Sequence, residues 1–426
     1  MSERQDLLER EWAELEAIVG REHIRPATLV DVVDEMLPAG VIAPGTAQEV
    51  AQVLRYCSSA GVSVVPRGGG TKLGLGNRPQ KPDFMVLSTE RLNRVVEHAW
   101  GDMTLTLEAG CTIDHAQGAV SQHGQRLALD PRWPEKCTVG GLLATAESGT
   151  LRIRYGAARD LVLGVEVALP DGNLIKAGGK VVKNVAGYDL TKLVIGSLGT
   201  LGVITRAVFR LHPVPVATAT YSTSLSSTTE LNKLVLAILN SPLVFTGLQV
   251  RAERAGDIAV DVRFEGIPES LHDAYGKLAK IAPGCTFVEA SGDLWNARQK
   301  LFANPGSSVI CKCSVLPAKI GALCDGVFRQ TQPAGVAATF VAQGTGIGEV
   351  RLDKADAATL LNVSRALRGE VERLDGTLVV QQCPASMKDA LDVWGTLKDA
   401  VPLMQQIKGK FDPARTLNPG RFVGAI

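Results

Sequence analysis

The 426-residue chain contains no uninterrupted apolar run of the about 18 residues that a membrane-spanning helix needs. Its first ten residues are densely charged and hold no apolar stretch of the kind a secretory leader carries, so no leader is expected. Neither sign of charge dominates: 45 Lys and Arg stand against 44 Asp and Glu. That balance removes the field a nucleic acid or an anionic membrane would favour. Eight cysteines do not make a disulfide framework, and their one cluster, Cys311-Lys-Cys313 with Cys324, has neither ferredoxin nor paired zinc spacing. The six histidines, His23, His98, His115, His123, His212 and His272, nowhere cluster at ligand spacing, so no metal site is expected. Together these absences point to a protein of a reduced, cytoplasmic compartment, in contact with the inner face of a membrane at most peripherally, with no nucleic-acid partner.

What the sequence does have is glycine: 44 residues, gathered between Gly61 and Gly202. Residues 66–76 read Pro-Arg-Gly-Gly-Gly-Thr-Lys-Leu-Gly-Leu-Gly and follow a short apolar strand at 62–65. Glycine lets successive N–H groups turn toward one anionic point without Cβ interference, which makes a concave nest for a pyrophosphate. The loop leads into no helix, unlike the fingerprint that links a first strand to its helix, so a Rossmann domain is disfavoured. A second segment, Pro134-Glu-Lys-Cys-Thr-Val-Gly-Gly141 continuing to Ala146-Glu-Ser-Gly149, places small residues where a flat ring or a phosphate could meet the main chain. The third, Gly196-Ser-Leu-Gly199-Thr-Leu-Gly202-Val-Ile204, feeds a long alternating strand that ends at His212-Pro213. Each segment alone also fits an ordinary tight turn.

Around these loops the pattern predicts an amphipathic helix on Leu8, Trp12, Leu15 and Val19, then a strand at 41–43. A capping box Thr46-Ala-Gln-Glu49 opens a helix that ends at Gly61. Short strands are expected at 84–88, 104–108 and 127–129, with a hairpin turning at Asp171-Gly172. The Ser/Thr-rich stretch 218–229 reads as a boundary, and mixed helices and strands after it read as a second α+β domain. The division expected is a helical extension over 1–40, a cofactor domain over 41–215, a second domain over 216–400, and a turn-rich tail, 401–426, that returns to the cofactor domain.

Taken in order, the three glycine segments resemble the FAD-binding domain of the vanillyl-alcohol oxidase/PCMH-type flavoproteins. The sequence Lys180-Val-Val-Lys-Asn-Val-Ala-Gly-Tyr-Asp-Leu190, followed by Gly-Ser-Leu-Gly-Thr-Leu-Gly, is similar to the FAD-binding subunit of bacterial glycolate oxidase (glycolate dehydrogenase). Phe411-Asp-Pro and Leu417-Asn-Pro-Gly-Arg421 are similar to the closing motif of related 2-hydroxyacid dehydrogenases. The resemblance implies an α+β fold: a PCMH-type, vanillyl-alcohol oxidase-like FAD-binding domain of two subdomains plus a smaller α+β cap. It implies that Arg67, Gly68, Gly69, Gly70, Thr71 and Lys72 wrap the pyrophosphate. Thr138, Val139, Gly140, Gly141, Ala144, Ser148 and Gly149 would border the flavin and its phosphates, and Gly199, Gly202, Val203 and Ile204 the ribityl-adenine side. The first loop carries Thr71 and no His, the residue through which some relatives attach flavin, so a non-covalent FAD is expected.

One departure bears on function. Relatives that oxidise D-2-hydroxyacids carry a His-x-Gly-Asp-Gly-Asn-x-His element in the cap, whereas this chain has Ala342-Gln-Gly-Thr-Gly-Ile-Gly-Glu-Val-Arg351 at the corresponding place. Neutral imidazole is the natural acceptor of an alcohol proton and a common metal ligand, and here both are missing. The resemblance then implies a subunit of a glycolate-oxidising complex, beside a second FAD-binding catalytic subunit and an iron–sulfur subunit, with glycolate passing to glyoxylate. Two alternatives stay open: a stand-alone FAD-dependent dehydrogenase of another 2-hydroxyacid, and a non-catalytic flavin-binding scaffold. Arg298, in a Trp-x-x-x-Arg-like element, is a candidate for binding a substrate carboxylate or lies on a solvated helix face.

Overall fold

The computed structural model describes residues 3–180, 189–291, 293–396 and 399–426, with the side chains of the first helix described from Glu11 onward. Most of the Lys180–Leu190 motif lies outside the described residues. The chain forms two compact units. One comprises Met1–Ser148, Gly156–Val214 and Leu397–Ile426; the other comprises Gly149–Tyr155 and Pro215–Thr396.

In the first unit the helix Ala47–Ala60 shows how local sequence sets structure. Thr46 caps it by accepting the Glu49 N–H at 3.1 Å, while the Glu49 carboxylate takes the N–H of Gly45 at 2.7 Å, one residue earlier than a strict capping box. Gly61 closes the helix at φ +72°, a conformation glycine adopts without Cβ strain. Its apolar face, Val50, Val53, Leu54 and Cys57, packs with Leu15 and Val19 of the opening helix and with Ile42, Val64, Leu87 and Leu417. Ile42, Val64 and Leu87 come from a four-stranded sheet in the order Ile24–Pro26, Gly40–Ile42, Phe84–Ser88, Ser63–Arg67, and Leu417 comes from the tail. Two of its pairings run parallel, Gly40–Ile42 with Phe84–Ser88 and Phe84–Ser88 with Ser63–Arg67, and these strands are mostly apolar, as a sheet covered on both faces requires.

A second, antiparallel sheet runs Val95–Ala99, Thr104–Glu108, Val203–Arg210, Val162–Ala168, Leu174–Gly178. The Asp171-Gly172 hairpin sits where the sequence puts it, with Gly172 at φ +89°. The expected strand at 127–129 does not form. Only Gln125–Arg126 pairs, with His212–Pro213, and Leu127 to Leu129 bury their side chains without a ladder. The tail does return to this unit: Val64 donates to Thr416 O and accepts from Asn418 N at 2.8 and 2.9 Å.

The second unit is one antiparallel sheet of eight strands in the order Val288–Glu289, Ala217–Leu225, Asp257–Gly266, Gly247–Arg254, Ala337–Gln343, Ile347–Asp353, Val309–Ser314, Thr377–Gln382. Helices Thr228–Leu239, Pro268–Ile281, Ile320–Thr331 and Ala357–Arg373 bury Leu231, Leu271, Leu323 and Leu367 in one core with Leu248, Val250, Val260, Phe340 and Val350 of the sheet. The Ser/Thr-rich stretch is therefore not a linker. It is the strand Ala217–Leu225, whose alternate residues Ala219, Tyr221 and Thr223 point inward, and the boundary falls just before it at Val214/Pro215. Among the described residues no helix is long and apolar enough to cross a membrane.

Candidate FAD-binding site

Three bends far apart in sequence meet at one cavity of the first unit. Ser63–Arg67 delivers the first bend, Thr138 starts the helix Val139–Ala144 at the second, and the third precedes Val203–Arg210. The cavity is lined from all three.

Contacts between the bends leave no room for side chains. A Cβ on Gly68 would lie 2.0 Å from Thr138 Oγ1, and one on Gly69 would lie 1.7 Å from the Lys136 carbonyl oxygen. The second and third bends are tied by main-chain bonds, Gly196 N–H to Leu143 O at 2.9 Å and Leu198 N–H to Ala144 O at 2.8 Å. The tail joins the first bend to the third. Asn418 Nδ2 donates to Leu198 O at 2.6 Å, while Arg421 Nη2 donates to Leu73 O and Leu75 O at 2.5 and 3.0 Å. Burial pulls the Arg421 guanidinium down to about 10, so it stays charged at neutral pH. Meanwhile the main-chain amides of Gly68, Gly69, Gly70, Thr71 and Lys72 donate to no other described backbone carbonyl. Five consecutive amides at a cavity wall, unused by other backbone, suit phosphate oxygens.

The charges fit the same ligand. Arg67 Nη1 donates to Asp31 Oδ1 at 2.7 Å, and Asp31 also accepts from both Arg25 terminal nitrogens at 2.7 and 2.8 Å and from Thr28 N at 2.8 Å. On the other side Lys72 Nζ lies 3.9 Å from a Glu147 carboxylate that Arg132 grips at 3.0 and 3.1 Å. Arg67 and Lys72, the two cations of the first bend that line the cavity, are thus each held beside a carboxylate. The Cys137 thiol beside Lys72 is pushed up by burial and stays neutral.

Arg25, first among its partners, holds the Asp31 carboxyl well below the usual carboxylate range. A depressed folded-state value means that this stabilisation is complete above about pH 4 and is lost as pH falls below that toward the folded value. Asp31→Asn is expected to free Arg67 to wander and to weaken FAD binding about tenfold, the scale of one charge-assisted hydrogen bond. Flavin fluorescence titration of the apoprotein measures this, and unchanged affinity would remove Asp31 from the site.

Of the residues singled out in the sequence, Arg67, Gly68, Gly69, Gly70, Thr71, Lys72, Thr138, Gly140, Gly141, Ala144, Gly199, Gly202, Val203 and Ile204 all line the cavity. Val139 does not: it is the first residue of its helix and fully buried. Ser148 and Gly149 also lie outside the lining, and Gly149 belongs to the second unit. Arg298 is in the second unit on the helix Ala297–Leu301, buried and bonded bidentately to Glu349 at 3.0 and 3.1 Å. Asn418, Arg421, Ser197 and Leu198 also line the cavity, and Asp31 holds the lining residue Arg67. The turn-rich Leu417-Asn-Pro-Gly-Arg421 was the one available signal for the first two. No histidine lines the cavity, and no group of three or more metal-ligating side chains occurs among the described residues.

Comparison with known proteins agrees with this geometry. Residues 38–178 match the FAD binding domain family model. The chain is 39% identical over 182 residues to the glycolate oxidase subunit GlcD of Bacillus subtilis, covering 42% of this chain and 38% of that one. It is 27% identical over 425 residues to the D-2-hydroxyglutarate dehydrogenase of Xanthomonas citri pv. viticola, covering 90% and 89%. With the D-lactate dehydrogenase of Archaeoglobus fulgidus it shares 38% over 173 residues, covering 41% and 38%. The chain thus spans under two fifths of the length of the first and third of these relatives. Among solved structures, p-cresol methylhydroxylase with substrate bound superposes with a TM-score of 0.78 at 15% identity, covering 98% of this chain and 97% of that one. Alkyldihydroxyacetonephosphate synthase gives 0.76 at 18%, covering 97% and 86%. The fold is the PCMH-type FAD-binding fold, and the cofactor of this domain is FAD.

Proposed function

We propose that this chain is an FAD-dependent oxidoreductase subunit acting on CH–OH donors, within a glycolate dehydrogenase (glycolate oxidase) complex that converts glycolate to glyoxylate. The observation that carries the reading is the meeting of three glycine bends and the tail at one cavity, in a domain whose sequence is similar to a glycolate oxidase subunit. Bound FAD supplies a two-electron acceptor able to pass electrons on singly. The chain's own residues supply the rest: an amide cradle over Gly68 to Lys72, Arg67 and Lys72 held in place by Asp31 and Glu147, and walls of glycine and apolar side chains that keep water from the cofactor.

The second unit supports a division of labour. Its one histidine, His272, is exposed on the helix Pro268–Ile281, and the turn between Ala337–Gln343 and Ile347–Asp353 carries none. Without a histidine there, the alcohol is oxidised on a second FAD-binding subunit, and electrons travel through this chain's domain toward an iron–sulfur subunit. The isolated chain is expected to be yellow, to release its FAD on acid precipitation, and to resist bleaching by anaerobic glycolate until the second flavoprotein subunit is added. A second reading, a stand-alone dehydrogenase of another 2-hydroxyacid, is favoured by the near full-length similarity to a D-2-hydroxyglutarate dehydrogenase. Bleaching of the isolated chain by a 2-hydroxyacid would decide for it, and a colourless chain that refuses FAD would remove both.

A further inference from the structure

The face of the eight-stranded sheet opposite its four long helices carries a polar row. Gln249 and Gln343 are direct cross-strand partners, and Glu349 pairs with Val341, two residues from Gln343 on the same strand. With side chains alternating along a strand, Gln343, Val341 and Glu349 share one face, and Gln343 and Glu349 are diagonal neighbours with backbones about 7–8 Å apart. Against this face lies the segment 293–301, tied down by Gln249 Nε2 donating to Leu294 O at 2.9 Å. It delivers Arg298, which is 7% exposed, onto Glu349, which is 2% exposed. Nε meets Oε2 at 3.0 Å and Nη2 meets Oε1 at 3.1 Å, the fork geometry with which arginine holds a free carboxylate.

Gln343 is 2% exposed and both ends of its amide lack a hydrogen-bond partner, as does Oε1 of the fully buried Gln249. Buried amides are nearly always satisfied, so two with spare capacity beside a forked arginine indicate a site built for a polar guest. Laid on the His-x-Gly-Asp-Gly-Asn-x-His element, residues 342–349 place Ala342 at its first histidine and Glu349 at its second.

We propose that Arg298 and Gln343 form a subsite for a small 2-hydroxycarboxylate, and that this chain keeps it shut with its own Glu349, which holds the place of the ligand's carboxylate. The inference deepens the relay reading above and rests on it: a unit whose anion fork is already filled passes electrons without competing for the complex's substrate.

The test is binding by the full-length, FAD-loaded chain, followed by calorimetry and by thermal unfolding with acetate or glycolate as probes. Wild type is expected to show no saturable binding of either at millimolar concentration. Glu349→Ala is expected to bind both and to be stabilised by them, with glycolate at least about fivefold tighter than acetate because its hydroxyl reaches the Gln343 amide. Gln343→Leu added to Glu349→Ala should erase that preference, and Arg298→Gln added to it should abolish binding. The proposal falls if Glu349→Ala folds and binds neither acid. Should that variant fail to fold, wild type decides: glycolate binding that Arg298→Gln abolishes overturns the proposal, and its absence supports it. Bleaching of wild-type flavin by glycolate that persists in Arg298→Gln would overturn the relay reading alone.

Discussion

Gly69→Ala is expected to yield a protein without flavin. The added methyl would sit 1.7 Å from the carbonyl oxygen of Lys136, a main-chain atom with no side-chain freedom to yield. Restoring ordinary contact requires the first and second bends to part by about 1.5 Å, since carbon and oxygen seldom approach much closer than ~3.3 Å. A shift of that size in a well-packed region costs on the order of 1–3 kcal/mol of stability. Its effect on binding is larger, because five neighbouring amides move together and each loses its aim at the phosphate oxygens. A loss of about 100-fold or more in FAD affinity follows, near 3 kcal/mol. Gly74→Ala in the same loop is the control: a Cβ there has nothing within 4 Å, so flavin content should match wild type. The ratio of visible to ultraviolet absorbance after purification reads both. Equal flavin in the two variants would show that the first bend is not the cradle.

The second large effect is expected at Lys408, a cation with 2% exposure. Its Nζ donates to Asp412 Oδ2 at 2.6 Å, to Thr200 O at 2.8 Å and to Leu417 O at 2.9 Å. Asp412 in turn accepts from the amides of Thr416 and Leu417 at 2.9 and 2.8 Å. One buried ammonium thus fastens the third bend to the tail that carries Asn418 and Arg421. Burial lowers the Lys408 pKa and the adjacent Asp412 charge opposes that shift. Lys408→Met keeps the length of the side chain but strands the Asp412 carboxylate, and breaking a buried pair in this way costs about 3–5 kcal/mol. Urea unfolding of the apoprotein should show that loss, and FAD affinity should fall with it, because an unfastened tail no longer spaces the first and third bends. A stability within about 0.5 kcal/mol of wild type would mean the tail is held by something else.

Much of this was legible in the sequence, for a definite reason. Glycine at positions 68 to 70, 140, 141, 199 and 202 answers a local requirement, close approach or a left-handed backbone, so the residue type itself marks each bend. The order of the segments then resembles a known domain, and the fold followed. What could not be read were the partners of long-range ion pairs. Asp31 reaches Arg67 across 36 residues, and Glu349 reaches Arg298 across 51, with no periodicity connecting them. From sequence, Arg298 fits either a solvated helix face or a carboxylate site, while the fold buries it against an internal carboxylate. Ser and Thr at 218–225 read as a boundary because polar hydroxyl residues favour loops, yet their β-branched members fit a pleated strand once neighbours lie on both sides.

The main-chain hydrogen bonds between Val64 and residues 416–418 have a consequence for how the protein is made. The strand Ser63–Arg67 and the bend it launches emerge early from the ribosome, but the pieces that brace them are translated some 350 residues later. At about 5–20 residues per second, the nascent chain spends tens of seconds with its dinucleotide cleft unfinished. Flavin loading is therefore a late event of biogenesis, and fragments cut before residue 421 should accumulate as apoprotein however much FAD the cell holds.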